Sequence, residues 1–138
     1  MVAHQQTLDF RGRGRGTLEI TDEVARIVRA AGVITGVVHV FVQHTSCSVV
    51  LTENADPSVR RDLEVLAARW APDADPAYRH DQEGDDDMAA HGRNLLAGAS
   101  VTVPIANGQM CLGTWQGIYL WEHRTMSLTR RVVVTVLG

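Results

Sequence analysis

The side chains able to do chemistry in this 138-residue sequence gather in a few short motifs. His44-Thr-Ser closes an apolar run in which Val38, Val40, Val42 and His44 share one face, because strand side chains alternate at period two. His80 lies in the stretch Asp73–Asp87, which holds seven acids against one arginine. His91 follows Asp87 by one helical turn, so both side chains point the same way. A loop histidine and a helical histidine can close on one divalent metal, with His44 read either as the third ligand or as a satisfied core residue. Three neutral imidazoles with an open fourth position suit zinc and activation of a bound water. Mg²⁺ held by carboxylates is the alternative cofactor.

The carboxylates admit two readings each. Glu53, in Glu53-Asn-Ala-Asp56, and Glu83, in His80-Asp-Gln-Glu83-Gly84, border histidine segments and precede turns. Each, like Asp87, is a candidate to orient a metal-bound imidazole or to act as general base. Asp56 either serves the site or simply caps a helix that begins at Pro57. Asp85-Asp86-Asp87 reads as a solvated run with one helix cap. Thr114 and Gln116, in Gly113-Thr-Trp-Gln116, sit between two strands, either as a site wall or as a tight bend with Trp115 in the core. Glu122 ends a strand in Trp121-Glu122-His123. His4 and His39 read as structural or exposed.

All 13 basic residues are arginine. The absence of lysine excludes a lysine Schiff base, a lysine general base and a phosphate-binding P-loop. Any phosphate must be held by arginine forks, backbone amides, histidine or a metal. Arg93, Arg124 and the Arg11-Gly-Arg-Gly-Arg-Gly16 segment are the candidates, although a solvated loop is the simpler reading of the last. A net charge of −3 argues against a nucleic-acid partner. No apolar run approaches the roughly 20 residues that cross a bilayer, so no membrane association is expected. The opening residues lack a secretory pattern, which makes the cytoplasm the expected location. Cys47 and Cys111 read as buried, reduced thiols.

The elements that position these groups are read from periodicity and caps. Strands are predicted at Thr7–Phe10, Thr17–Ile20, Gly36–Gln43, Cys47–Thr52, Ser100–Ile105, Gln109–Leu112, Gln116–His123 and Leu128–Leu137, with a hairpin turn at Asn107-Gly108. Thr21 is expected to cap a first helix with Val24, Ile27, Val28 and Ala31 on one face and Gly32 at its end. A second helix carries Val59, Leu63, Leu66 and Trp70 and stops at Pro72. A third runs from Asp86 or Asp87 to about Gly98. This is one α+β domain, residues 1–138, with mixed or antiparallel sheets and about three helices.

His44-Thr-Ser, Glu53-Asn-Ala-Asp-Pro57, His80-x-x-Glu-Gly84, Asp86-Asp-Met-x-x-His91 and Gly113-Thr-Trp-Gln-Gly-Ile-Tyr-Leu-x-Glu-His123 occur in that order. Together they resemble the YjbQ-like family, also called the secondary thiamine-phosphate synthase enzyme family. The resemblance runs from about Phe41 to the end, and departs from the pattern at Ala89-Ala90, where many relatives carry a proline. It implies a compact α+β fold assembling as a homotrimer, with strands around the threefold axis. It implies a metal pocket that matches here at His44, His80 and His91. It also implies a weak transferase activity joining a pyrimidine-methyl diphosphate to a thiazole phosphate, with release of diphosphate. Because three histidines suit water activation better than diphosphate departure, metal-assisted hydrolysis of a phosphate ester is the alternative; a non-enzymatic module binding a phosphorylated ligand is the third reading.

Overall fold

The computed structural model describes residue 1 and residues 3–138. In chain order these form β1 (Ala3–Arg11), β2 (Gly16–Glu19), α1 (Thr21–Ala31), β3 (Gly36–Val42), β4 (Cys47–Glu53), α2 (Pro57–Trp70), α3 (Asp87–Ala97), β5 (Ser100–Ala106), β6 (Gln109–Met110), β7 (Gln116–Glu122) and β8 (Thr129–Leu137). All the pairings are antiparallel. One sheet has five strands in the order β1-β8-β3-β5-β6, the other three in the order β2-β7-β4.

Alternation puts the core between the sheets. Val38, Val40 and Val42 of β3 and Val132, Val134 and Val136 of β8 pack with Cys47 and Val49 of β4 and Ile118 and Leu120 of β7. Val24, Ile27 and Val28 of α1 join the same core, as the helical spacing predicts. Gly32 adopts φ 67 to end α1. Thr21 does not cap it: Thr21 is the first helical residue and Ile20 occupies the cap. The Thr21 hydroxyl instead accepts from the Ile118 amide and donates to Glu19, tying the helix to the small sheet.

α2 and α3 pack by β2 and β4 of the small sheet. Asp56 caps α2, its carboxylate accepting from the Ser58 amide at 2.9 Å. Only Ala67 of α2 is buried, and Leu66 and Trp70 lie exposed, so this chain does not cover the apolar face that the sequence marked. Leu95 and Leu96 of α3 are exposed too. Cys47 is buried, and burial pushes its thiol up to about 12. Cys111 is exposed, contrary to its apolar context, because β6 ends at Met110 and leaves the thiol beyond the sheet. No helix among the described residues is long and apolar enough to cross a membrane.

Candidate functional site

Two elements, the acidic segment and α3, meet at one end of β4 and β7. The acidic segment delivers His80, the first turn of α3 delivers Asp87, and the next turn delivers His91. The donor atoms of these three residues lie within 4.8 Å of one another. Asp87 Oδ2 is 2.7 Å from His80 Nε2 and 3.1 Å from His91 Nε2. His91 Nδ1 lies 2.9 Å from the Thr45 carbonyl at the head of β4. Asn94, one turn further along α3, donates to the Cys47 carbonyl and fixes the helix on the strand. Glu83 stands at the open side, its Oε2 3.8 Å from His80 Nε2.

The carboxylates here are not a solvated run. Asp86 and Asp87 are buried. Arg124 binds both, through Nε to Asp86 at 2.9 Å and through its terminal nitrogen to Asp87 at 2.9 Å. Asp86 also accepts from the Thr125 amide, and these bonds overcome burial to hold its pKa near 2. Burial alone would raise Asp87, but the His80 hydrogen bond and the Arg124 guanidinium bring it down. The expected solvation failed because Arg124, 38 positions away, was not readable as their partner.

His44 is not part of this group. Its Nε2 accepts the Arg131 amide at 2.8 Å, beside Asp9 and Gln43 on the five-stranded sheet. Burial first, and then the nearby Arg130, lower its pKa. Asp87 takes the third position that the sequence assigned to His44.

Glu53, Asp56, Thr114 and Gln116 gather at the other end of β4 and β7, where Glu53 pairs with Gln116. Glu53 accepts from the amides of Ala55 and Asp56 and shapes the turn into α2. The Gln116 side chain accepts from the Gly113 amide, and the Asn54 amide group reaches the Thr114 carbonyl. Trp115 is 63% exposed, so it is not core. The seven residues of β7, at about 3.3 Å each, separate Gln116 from Glu122 by roughly 20 Å. Within one chain these four residues and the histidine pair cannot serve one reacting atom.

Glu122 is buried and fully engaged. Arg130 grips both its oxygens, at 2.7 and 2.5 Å, and the Arg124 amide adds a third bond. Arg93, a candidate phosphate ligand, is buried with its Nε on the Ala71 carbonyl. Sequence reasoning missed His123, which is fully buried. Its Nε2 meets the Ser48 hydroxyl at 2.9 Å, its ring lies beside Trp121, and its Nδ1 has no partner among the described residues. The alternation of Tyr119, Trp121 and His123 was the available signal.

A family model described as UPF0047 protein YjbQ-like matches residues 6–138. The UPF0047 protein sll1880 of Synechocystis is 44% identical over 135 residues, covering 98% of this chain and 92% of that protein. The UPF0047 protein YjbQ of Escherichia coli O157:H7 is 40% identical over 136 residues, covering 98% of both. Among solved structures, a YbjQ-like protein of unknown function from Sulfolobus solfataricus superposes with a TM-score of 0.91 at 25% identity, over 99% of this chain and 98% of that one. A conserved hypothetical protein of Thermus thermophilus gives 0.86 at 33% identity, over 96% and 99%.

Proposed function

The chain belongs to the YjbQ-like UPF0047 family, and from that premise we propose that it is a cytoplasmic, homotrimeric, metal-dependent enzyme that hydrolyses a phosphate ester of a small molecule. One observation carries the metal. A ring nitrogen 2.9 Å from the Thr45 carbonyl must donate, so His91 Nδ1 holds the proton. In a neutral ring Nε2 then presents a lone pair, 3.1 Å from the anionic Asp87 Oδ2. Two lone pairs repel, and a shared cation resolves the contact. A proton on His91 would serve that one pair, whereas a divalent ion serves His80, Asp87 and His91 together.

Two imidazoles and one carboxylate suit zinc better than Mg²⁺, which prefers oxygen ligands. The bound ion would supply an acidified water and polarise a phosphoryl oxygen. The protein's own residues do the rest. The Thr45 carbonyl fixes the His91 tautomer, as partners of metal-bound histidines do. Arg124 orients Asp87. Glu83 accepts the proton of the attacking water; the water oxygen bonds to phosphorus, the ester P–O bond breaks, and the departing oxygen is protonated from solvent.

The exposed Leu66, Trp70, Leu95 and Leu96 support assembly into a trimer, which light scattering checks as a mass of three 15.1 kDa chains. Unpaired Cys47 and Cys111 fit the reducing cytoplasm. The thiamine-phosphate synthase reaction, in which a C–O bond to diphosphate breaks as a C–N bond forms, is the reading that the family resemblance favours. The test is metal analysis by mass spectrometry together with a substrate panel, before and after chelation. His80→Ala and His91→Ala are each expected to hold under about one-third of the wild-type metal, because removing either co-ligand opens the site. His44→Ala is expected to keep it. Hydrolysis of phosphate esters that chelation stops supports the proposal. Coupling of the pyrimidine and thiazole substrates without ester hydrolysis supports the synthase reading. Full occupancy in both histidine variants removes the metal site, and binding without turnover leaves a binding module.

A further inference from the structure

The Arg11–Gly16 loop takes no part in the site just described, yet it roofs a cavity of about 420 Å³ at the open end of the core between the two sheets. That volume falls among small-molecule sites, roughly 300–1,000 Å³. We propose that this cavity binds the phosphate group of a small organic phosphate, as a second site separate from His80, Asp87 and His91. No lining residue is a donor of that cluster, so the inference does not depend on a metal being bound there.

The charges make the argument. Four arginines line the cavity, Arg11, Arg13, Arg15 and Arg130, against a single acid, Glu122. Arg130 is neutralised by Glu122, and Arg15 forms a two-bond pair with Asp73. Glu122 has no oxygen to spare. Arg11 and Arg13 have no carboxylate within salt-bridge distance among the described residues. Arg11 and Arg13, both exposed, therefore bring two uncompensated guanidiniums to the lining of one cavity in a chain whose net charge is −3. Arginine forks match phosphate oxygens geometrically, and two of them balance a dianion.

The loop is also built to hold its shape. The Gly12 amide donates to the Leu128 carbonyl at 3.1 Å, and the Ser127 hydroxyl bonds the Gly12 carbonyl. Gly14, at φ 95, lies so close to the segment after β7 that a Cβ would stand 2.5 Å from the Thr125 carbonyl oxygen. The amides of Arg13 and Gly14 have no acceptor among the described residues, and successive free amides in a turn add fixed positive partial charge. Leu18 and Leu120 supply an apolar wall for the body of an ester.

Isothermal titration with phenyl phosphate and with inorganic phosphate tests the site. With a chelator present, so that the hydrolytic site holds no metal, phenyl phosphate is expected to bind wild type and the His80→Ala and His91→Ala variants alike. The double variant Arg11→Gln, Arg13→Gln is expected to bind at least about tenfold more weakly, with an unchanged melting temperature, since each lost charge-assisted bond weakens the complex. Inorganic phosphate is expected to bind more weakly than the ester; equal affinity overturns the ester assignment in favour of free phosphate. Absence of binding to wild type overturns the site, as does binding that the histidine variants lose and the arginine variant keeps.

Discussion

Acid is expected to unfold this protein through one buried ring. His123 sits inside the fold with its pKa pushed down to about 3, first by burial and then by the charges of Arg93, Arg15 and Arg130. In the unfolded chain the same ring titrates at its ordinary 6.5. Between those values the unfolded state takes up a proton that the folded state refuses, so stability falls as pH falls and is level above 6.5. The slope in that window approaches 1.4 kcal/mol per pH unit, so about 2 kcal/mol is lost by pH 5 and about 4 kcal/mol by pH 3. Against a typical total of about 5–15 kcal/mol, that loss is large. The Ser48 contact does not rescue the ring, because Nδ1 would still carry a buried proton with no acceptor. Asp86, held near 2, adds its own acid sensitivity only below its ordinary 3.8, outside the interval from pH 6.5 to 5. The assay is urea unfolding at pH 7, 6.5, 6 and 5 for wild type and His123→Gln. The variant starts less stable, having lost a well-packed ring, but is expected to lose about 2 kcal/mol less between pH 6.5 and 5. His44 contributes equally to both proteins and cancels. Parallel curves for the two proteins would refute the assignment to His123.

Three other substitutions follow from contacts described above. Arg130→Met leaves Glu122 buried without its partner and is expected to cost on the order of 3–5 kcal/mol in urea unfolding, with the double change Arg130→Met, Glu122→Leu recovering most of it. Asp56→Asn is expected to leave the melting temperature unchanged while Asp56→Ala lowers it, because asparagine also accepts from the Ser58 amide; a lower melting temperature in the Asn variant would show that the charge matters. Gly14→Ala combines a strained φ of 95 with a clash on Thr125, so calorimetry is expected to show a clear drop in melting temperature; an unchanged value would mean the loop is not held as described.

Local rules carried much of the fold. The valine alternation of β3, the Asp56-Pro57 start of α2 and the Asn107-Gly108 turn rest on neighbours a few residues away, and each formed where the pattern placed it. The candidate site was legible only in pieces. Parity put His44 on the face of Val38, Val40 and Val42 but carried no distance, and Asp87 rather than His44 completes the group. Arg124 and Asp86 meet across 38 residues, a pairing that no local spacing encodes. The apolar stripe of α2 announced that it needs cover without saying which chain supplies it. The buried His123 was passed over because its partner Ser48 lies 75 positions away, beyond any local spacing.

The order of the larger sheet has a consequence for synthesis. β8 lies between β1 and β3, pairing from Ala3↔Leu137 to Arg11↔Thr129 on one side and from Val37↔Leu137 to Val42↔Val132 on the other. It is also made after both of the strands it joins. A nascent chain stalled before Thr129 holds β1 and β3 with no neighbour between them, each offering open backbone groups to any passing strand. The valines that β8 contributes to the core are missing at the same moment. The five-stranded sheet therefore closes only once Leu137 has cleared the exit tunnel, and until then the bare edges of β1 and β3 are the segments most open to mispairing.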